Sequence, residues 1–387
     1  MPFSYAIFSS RFSPFVGGVE SYTESLSHEL IAQGNAVTVV TQRLDDSPEF
    51  ELREDGITVL RLPAHSFLEG RAPVSKHSRR HKELMGALDG LSIDRVLVNT
   101  RLYRHSIDGL RYASKRNLPV VCLDHGSAYL TLGNSALDGA LNAYEHALTR
   151  SAMRFKPHFA GVSQKSVEWL KTFGIETTTV IPNAIDASEF RELSSGRDFR
   201  AELGIGESDY IVAFVGRLTP EKGPEQLVAA VQLLEGSEVL AGGKVHAVLA
   251  GQGFLEEGLK KGAPINAHFL GALEKPDVSA LLQISDLFCL PTRSEGFCTA
   301  LLEASACGLP AAITDVGGAR ELIPSLDCGT IMPSMAVDEV LRSLRDLISQ
   351  GKSALRAKGA TARTVVEQNY TWHNTVEALE AAFACYA

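Results

Sequence analysis

The sequence contains no apolar run long enough to cross a membrane. Its longest apolar stretches, such as Ile211–Val215 and Leu287–Leu290, are far shorter than the roughly 18–20 residues that a bilayer-spanning helix requires. The stretch Met1–Phe12 has no basic residue before its short apolar run and no small-residue cleavage pattern, so we expect no secretory signal. These absences predict a cytoplasmic protein.

Metal-binding and disulfide patterns are also missing. The six cysteines form no C-x-x-C pair and no spacing typical of a disulfide framework. The sequence shows no Asp-x-Asp motif and no evident cluster of His, Asp and Glu residues. We therefore expect reduced thiols, no metal site and no cofactor.

Positive charge is scarce in the chain as a whole. The formal net charge is −9, which disfavours a nucleic-acid partner. Residues 1–190 hold 20 Lys and Arg against 21 Asp and Glu, whereas residues 191–387 hold 17 against 25. The first half is therefore nearly neutral, and most of the acidity belongs to the second half.

Short apolar strands alternate with helical stretches along all 387 residues, and the alternation restarts after residue 182. Such strands are typical of parallel sheets covered by helices on both faces. We expect an α/β protein with two doubly wound, Rossmann-like domains, 1–184 and 185–369, that face a central cleft. The expected strands are Tyr5–Ser9, Ala36–Thr41, Ile57–Leu62, Arg95–Val98, Val120–Leu123, Phe159–Val162, Tyr210–Val215, Val245–Ala250, Ala267–Leu270, Leu287–Leu290 and Ala311–Thr314.

The densest group of chemistry-bearing residues is the segment from Glu295 to Glu303, directly after an expected strand. A helix that starts near Cys298 or Thr299 would present backbone N–H groups and the positive end of its dipole to a phosphate. A carboxylate accepts two hydrogen bonds, so either glutamate suits a vicinal diol such as that of a ribose or a hexose. A single glutamate on a helix is more often a solvated surface residue, but two beside a glycine turn favour a site.

Two further strand-to-helix turns carry groups that suit an anionic ligand. Arg217 and Lys222 follow the strand Tyr210–Val215 and are positioned to neutralise a diphosphate without a metal, although two surface cations are the simpler alternative. Gly17 and Gly18 follow the first strand and would let backbone amides approach a ligand closely, although a tight turn is the more common explanation of such a pair.

A third glycine pair, Gly251 and Gly253, only partly matches a dinucleotide-binding loop. The third glycine of that motif would be residue 256, which is Glu. An NAD-dependent oxidoreductase therefore has little support from the sequence.

Taken together, these motifs resemble the retaining GT-B glycosyltransferases of family 4, and their order and spacing agree over essentially the whole chain. The resemblance implies an N-terminal acceptor domain, a C-terminal nucleotide-sugar domain and a C-terminal helix, about residues 370–387, that packs on the first domain. The matching segments are Gly17-Gly18-Val-Glu, His125-Gly, Ile181-Pro-Asn-Ala-Ile-Asp186, Val215-Gly-Arg217 with Lys222, Gly251-Gln-Gly253, Glu295-x7-Glu303 and Thr314-Asp-Val-Gly-Gly318 with Glu321.

Roles for individual residues follow from the same resemblance. It implies that Arg217 and Lys222 hold the donor diphosphate, that Glu303 binds the nucleotide ribose and that Glu295 faces the donor hexose. It also implies that His125 lies near the reacting sugar, where it acts as a general base or orients the sugar through a hydrogen bond. A purely structural histidine is the third interpretation. The remaining implied donor contacts are Gly17, Gly18, Gly253, Leu273, Phe297, Cys298 and Thr299. Cys298 departs from the small or proline residue that is common at this position in the family. The identity of the donor sugar therefore stays open.

The resulting expectation is a metal-independent enzyme that transfers a hexose from a UDP-sugar, with retention of anomeric configuration, to a glycan, glycolipid or lipid-linked acceptor. GDP-mannose is the main alternative donor. A catalytically silent nucleotide-binding subunit is the alternative from another class, but such a protein would be expected to have lost some of Arg217, Lys222, Glu295 and Glu303. The oligomeric state stays open.

The candidate for acceptor binding in the first domain is a basic segment, Arg71–Lys82, which includes Arg79 and Arg80. A solvated loop is the default interpretation of such a run. The functional hypothesis is that this segment, with Arg101 and Arg104 near it, contacts an anionic membrane surface or a phosphate-bearing acceptor.

Overall fold

In the computed structural model, which describes residues 2–15, 17–66, 73–129, 135–234 and 243–385, the chain forms two compact units. Unit 1 consists of Met1–Asn183 and Trp372–Ala387, and unit 2 consists of Ala184–Thr371. The boundary lies one residue before the one expected from the sequence. The returning C-terminal segment begins two residues later than expected.

Unit 1 is built on a largely parallel sheet. Its strands are β1 Ser4–Ser9, β2 Ala36–Arg43, β3 Phe50–Leu52, β4 Thr58–His65, β5 Val74–Ser75, β6 Arg95–Asn99, β7 Val120–Asp124 and β8 His158–Gly161. They lie in the order β3-β4-β2-β1-β6-β7-β8, and only β3 and β5 pair in antiparallel fashion, each with β4. Continuous apolar strands such as Tyr5–Phe8 are completely buried, as a sheet with helices on both faces requires.

Side chains fix the starts of several helices in unit 1. The helices are α1 Gly18–Ala32, α2 Arg79–Ala87, α3 Arg104–Arg116, α4 Ser135–Met153 and α5 Gln164–Lys171. The hydroxyl of Ser78 accepts a hydrogen bond from the backbone N–H of His81 at the start of α2, and Ser163 caps α5 in the same way through Ser166. Leu88–Leu91 forms a short 3₁₀ turn.

Unit 2 has a six-stranded, fully parallel sheet. Its strands are β9 Tyr210–Val215, β10 Val245–Ala250, β11 Ala267–Gly271, β12 Leu287–Leu290, β13 Ala311–Thr314 and β14 Gly329–Met332. They lie in the order β11-β10-β9-β12-β13-β14, which reverses between β9 and β12. In such sheets ligands bind beyond the carboxyl ends of the strands at this switch point.

Amphipathic helices cover the unit 2 sheet. Along Val337–Ile348, for example, the buried residues Val340, Leu344 and Leu347 recur at helical spacing. The helices are α6 Ala187–Glu192, α7 Phe199–Glu202, α8 Pro224–Leu234, α9 Glu256–Gly262, α10 Lys275–Ile284, α11 Thr299–Ala306, α12 Ala319–Leu322, α13 Val337–Ile348 and α14 Gly351–Asn369.

The last helix, α15 (Trp372–Ala384), belongs to unit 1 and packs on α1. The carboxylate of Glu380 contacts both Tyr5 of β1 and Arg95 of β6, and the ring of Trp372 meets that of Tyr22 at 5.5 Å. These contacts are the physical reason why the final helix leaves unit 2.

All eleven expected strands are present, with ends shifted by no more than three residues. The sequence reasoning missed β3, β5 and β14, which are short and only partly apolar. Among the described residues, no helix is long and apolar enough to span a membrane.

Candidate functional site

The loops at the carboxyl ends of β9 and β10 are interlocked through their backbones. Leu218 N–H donates to the carbonyl of Gln252 at 2.9 Å, and Leu255 N–H donates back to the carbonyl of Leu218 at 3.2 Å. A Cβ atom on Gly253 would lie 2.3 Å from Leu218 O, which no side chain tolerates. Gly253 is therefore required for this close approach. In this structure it supports the loop that carries Arg217 and Lys222.

Lys222 and Glu295 form a close ion pair in unit 2. Lys222 Nζ lies 2.6 Å from Glu295 Oε1 and also donates to the carbonyl of Ser294 at 3.2 Å. The two side chains are only 13% and 16% exposed. The pair joins the loop after β9 to the loop after β12, and it holds one cation and one carboxylate at the same strand edge.

Backbone contacts hold the same two loops together on either side of this pair. Arg293 N–H donates to Glu221 O at 2.8 Å, and Thr292 Oγ1 donates to Glu221 O at 3.3 Å. The hydroxyl of Thr314, at the end of β13, donates to Thr292 O. Three strand ends are thus fastened into one rigid edge.

Arg217 differs sharply from Lys222. Its side chain is 65% exposed, and its only described ion pair is a loose one at 3.7 Å to Glu221. An exposed arginine in a weak pair keeps its guanidinium available to a ligand at little energetic cost.

Helix α11 begins at this edge as the sequence predicted. Its N-cap residue, Cys298, is 5% exposed and has the left-handed backbone angle φ +84°, which is costly for a non-glycine residue. No side chain caps the helix. Burial raises the pKa of the Cys298 thiol well above its usual value, so the thiol is neutral. The strained cap turns the chain so that the positive end of the dipole of α11 points toward the strand edge.

Glu303 lies one turn further along α11 than its first residue, Thr299. It is partly exposed, yet burial of its carboxyl group raises the pKa to about 7, against the opposing charge of Lys275. Within the described part of the chain its carboxylate makes no hydrogen bond, so both oxygens remain available as acceptors.

Phe297 and Leu273 are packing residues in this structure. Phe297 is 4% exposed, and its ring lies against Tyr370 at 5.5 Å and beside Gly318, where a Cβ atom would lie 2.8 Å from it. Leu273 packs against the apolar cluster around Ile211 and Leu281. Both positions keep their backbone at the carboxyl edge of the sheet.

In unit 1, Gly17 and Gly18 form the start of α1. Gly17 is extended, with φ 179° and ψ 174°, and Gly18 is the first helical residue. A Cβ atom on Gly17 would lie 2.4 Å from Glu20 Oε2. Glu20 lies in the first turn and pairs with Arg11 at 3.3 Å, so the helix start carries both a carboxylate and a cation.

His125 follows β7 and is held by a chain of hydrogen bonds. Its Nε2 lies 3.2 Å from Asn99 Oδ1, Asn99 Nδ2 donates to Thr23 Oγ1 at 2.8 Å, and Thr23 Oγ1 donates to Val19 O at 2.7 Å. Because Thr23 gives its proton to Val19, Asn99 must present its amide to Thr23 and its carbonyl to His125. His125 Nε2 therefore carries the proton, and Nδ1 is the acceptor.

The surroundings of His125 also decide its charge. Burial lowers its pKa to about 3, and Tyr22 packs edge-on against the imidazole at 4.8 Å. The ring is neutral at physiological pH. Sequence reasoning missed Asn99 and Thr23, although Asn99 directly follows the apolar run Val96–Val98 and so stands where a parallel strand ends.

A buried charged cluster includes Asp124, the residue before His125, and corrects one expectation. Arg101 is completely buried and contacts Asp124 at 2.6 Å and Glu145 at 2.8 Å, with its guanidinium over the ring of Phe173 at 3.8 Å. Burial raises the pKa of both carboxyl groups against the charge of Arg101. Arg101 is therefore not part of an exposed basic surface, whereas Arg104 is exposed.

The basic segment is likewise less cationic than expected. Arg79 pairs with Glu83 at 3.0 Å, and Arg80 contacts both Glu49 at 2.7 Å and Glu83 at 3.1 Å. Arg71 lies outside the described residues.

The expectation of no His, Asp and Glu cluster is wrong. His77 and His81, which belong to the basic segment, converge on Asp108 of α3. The signal was hidden because Asp108 lies 31 residues from His77 in the sequence.

A cavity of about 480 Å³ lies elsewhere in unit 2. Its walls include Asp286 and Pro310, which directly precede β12 and β13, together with Arg200 and Lys352. It is therefore at the amino-terminal edge of the sheet, opposite the edge that carries Lys222 and Glu295.

Comparison with known proteins decides the family. Residues 196–364 match Glycosyl transferases group 1, and residues 16–189 match Glycosyltransferase Family 4. The chain belongs to glycosyltransferase family 4. These matches cover both units of the family 4 chain. They confirm the resemblance that the sequence motifs indicated.

Solved structures confirm the GT-B fold of this family 4 protein. Sucrose-phosphate synthase from Thermosynechococcus elongatus has a TM-score of 0.74 at 19% identity and covers 99% of this chain and 98% of its own. Anabaena HepE in complex with UDP has a TM-score of 0.72 at 18% identity, with full coverage of both chains.

Two curated relatives are more similar in sequence. One is a human protein named as a subunit of phosphatidylinositol N-acetylglucosaminyltransferase, which is 26% identical over 97% of this chain and 74% of its own length. The D-inositol 3-phosphate glycosyltransferase of Mycobacterium avium is 32% identical over 53% of this chain, and the match spans about half of that relative, 48%.

Proposed function

We propose that this protein transfers a hexose from a UDP-sugar, with retention of anomeric configuration and without a metal ion, to a glycan, glycolipid or lipid-linked acceptor. The single observation that carries the proposal is the edge of unit 2, where Lys222, Glu295, exposed Arg217 and the start of α11 lie on interlocked strand ends. UDP and UDP-glucose appear in the solved complexes of Anabaena HepE, which supports a uridine nucleotide.

The proposed chemistry follows from the charges at this edge. Breaking the bond between the anomeric carbon and the diphosphate leaves a nucleoside diphosphate anion and an oxocarbenium-like sugar. Lys222, Arg217 and the N–H groups at the start of α11 stabilise the negative charge that develops on the leaving group. The acceptor hydroxyl attacks from the same face, and the leaving phosphate takes its proton.

His125 has the properties of a hydrogen-bond acceptor rather than of a strong base. A pKa of about 3 means that Nδ1 has little affinity for a proton at neutral pH. In the proposed mechanism Nδ1 accepts a hydrogen bond from a sugar hydroxyl, and Nε2 stays bonded to Asn99.

The acceptor proposal includes an inositol-bearing molecule. The names of two relatives, one human and one mycobacterial, each contain an inositol-bearing substrate. The human relative is named as one subunit of its enzyme, so donor binding without hydrolysis is a separate outcome of the test.

The deciding experiment is a donor screen in the presence of EDTA. UDP-Glc, UDP-Gal, UDP-GlcNAc, GDP-Man and ADP-Glc are compared by thermal shift and by donor hydrolysis, and productive donors are then offered inositol phosphate and phosphatidylinositol vesicles. Stabilisation and hydrolysis with a UDP-sugar support the proposal. A response to GDP-Man alone changes the proposed donor from a UDP-sugar to GDP-mannose. Donor binding without hydrolysis favours a catalytically silent subunit.

A further inference from the structure

A cluster of two histidines and one aspartate joins two helices of unit 1 and includes none of the residues assigned to donor binding. His77 precedes the capping residue of α2, His81 lies in the first turn of α2, and Asp108 lies on α3. One atom from each side chain can be chosen so that all three lie within 4.8 Å of one another.

The separations of these atoms suit a common ligand. His77 Nε2 lies 2.9 Å from Asp108 Oδ1, and His81 Nε2 lies 3.5 Å from Asp108 Oδ2. Two ligand atoms that each lie about 2.1 Å from a tetrahedral zinc ion are about 3.4 Å apart. Small movements of the half-exposed His77 ring are sufficient to reach this geometry.

Two atoms of the cluster are buried without a hydrogen bond. His81 Nε2 and Asp108 Oδ2 have no hydrogen-bond partner in the described part of the chain, although their side chains are only 7% and 3% exposed. The two atoms lie 3.5 Å apart, too far for a good hydrogen bond, so burial leaves both poorly compensated. Both atoms face each other, so a single bound cation would satisfy both.

A neighbouring cation does not block this position. Arg111 contacts Asp108 through Oδ1 at 3.2 Å and leaves Oδ2 to His81 Nε2. Arg111 is half-exposed and can keep its contact with Oδ1 as an outer partner of a coordinating carboxylate.

We propose that His77, His81 and Asp108 form a binding site for a divalent transition metal ion such as zinc. Two imidazoles and one carboxylate are a donor set that such ions favour, and the exposed side of His77 leaves room for a water molecule as fourth ligand. The bound ion fastens the start of α2 to α3. It is separate from the diphosphate chemistry, which the proposed function assigns to protein cations.

A second cluster in the same unit provides a matched control. Glu24, His28 and Asp55 also lie close enough to hold an ion. Arg53, however, already contacts both Glu24 and Asp55 at 2.7 Å. This cluster therefore has its own cation, and we expect it to bind no metal.

The test is a zinc titration of untagged full-length protein, treated with EDTA and exchanged into chelator-free buffer, against a chromophoric competing chelator. We expect one zinc ion per chain in the wild-type protein and in His28→Ala, and at least a tenfold weaker affinity in His77→Ala. His77 is half-exposed, so its truncation leaves the fold intact, which melting in EDTA verifies. Cobalt substitution should give the intense visible absorption of a four-coordinate site.

Two results would overturn the proposal. The first is no stoichiometric zinc binding by the wild-type protein, and the second is equal affinity in His77→Ala. In the second case, loss of the site in Cys385→Ser would identify the exposed thiol as the ligand. Failure of the zinc site leaves the glycosyltransferase proposal intact, because the donor screen is carried out in EDTA.

Discussion

The strand ends of the two units differ in where their formal charges lie. In unit 2 the loops after β9 and β12 hold formal charges near the surface, with Lys222 paired to Glu295 and Arg217 exposed. In unit 1 the loop after β7 presents a neutral histidine, and the formal charges of Arg101, Asp124 and Glu145 are buried. Charge on the surface suits an anionic ligand, whereas the buried charge of unit 1 holds its own loop, since Asp124 Oδ1 accepts a hydrogen bond from Gly126 N–H.

The comparison predicts that unit 1 depends on its charges for stability. Removing Arg101 leaves Asp124 and Glu145 buried without a counter-charge, so Arg101→Leu should lower the free energy of unfolding by about 3–5 kcal/mol. Urea denaturation measures this loss. The exposed Arg104→Leu is the matched control, and equal stability of the two variants would contradict the buried role.

Unit 2 should depend on its charges for catalysis instead. Lys222→Ala removes the less exposed of the two proposed diphosphate cations and should lower kcat by about 10²–10³-fold, with a much smaller loss of stability because backbone hydrogen bonds still hold the two loops together. Lys260→Ala removes a helix-surface lysine paired to Glu256 and should have wild-type turnover. A variant with Lys222→Ala that turns over normally would remove this residue from the site.

Glu303 sharpens the comparison through pH. Its raised pKa of about 7 means that the carboxylate form gains population as pH rises from 6 to 8, and only this form accepts two hydrogen bonds from a ribose. The Kd of a UDP-sugar, whose diphosphate does not titrate in this range, should fall over that interval. Glu303→Gln should bind about tenfold more weakly at pH 8 and show no such trend. A parallel pH trend in both proteins would contradict the ribose role.

The neutral state of His125 is tested through Asn99. In Asn99→Asp a carboxylate replaces the amide oxygen 3.2 Å from His125 Nε2 and should raise the pKa of the imidazole from about 3 toward neutrality. We expect a new ionisation in the pH profile of kcat and about a tenfold lower maximum, as for the loss of one hydrogen bond to substrate. Asn117→Asp, at the exposed end of α3, should leave the profile unchanged.

The smallest effect is expected at the surface of α2. Arg79 and Arg80 already pair with Glu83 and Glu49, so charge reversal of both should weaken sedimentation with anionic vesicles by only a few-fold. Sedimentation that is absent in the wild-type protein would remove the proposed membrane contact.

Sequence reasoning reached further in unit 2 than in unit 1 for a physical reason. Lys222 and Glu295 each lie in a short turn directly after an apolar strand, so the motif and the site nearly coincide. The histidine chain of unit 1 joins residues 26 and 76 positions apart, from three elements, and no local pattern reports such pairings.

The same limit explains the other differences. The burial of Arg101 depends on Glu145, 44 residues away, and the histidine cluster depends on Asp108. A basic residue in a polar stretch has the same appearance whether it is solvated or buried with partners. The alternation of strands and helices was sufficient for the architecture, because it depends only on short-range periodicity.

The most direct test of the central claim is calorimetric titration of the donor selected in the screen, in EDTA, into the wild-type protein and Lys222→Ala. We predict saturable binding at one site per chain in the wild-type protein and a markedly weakened site in the variant, since Lys222 supplies the charge that a metal ion would otherwise supply. Donor binding that requires added Mg²⁺, or that is equally tight in Lys222→Ala, would contradict it.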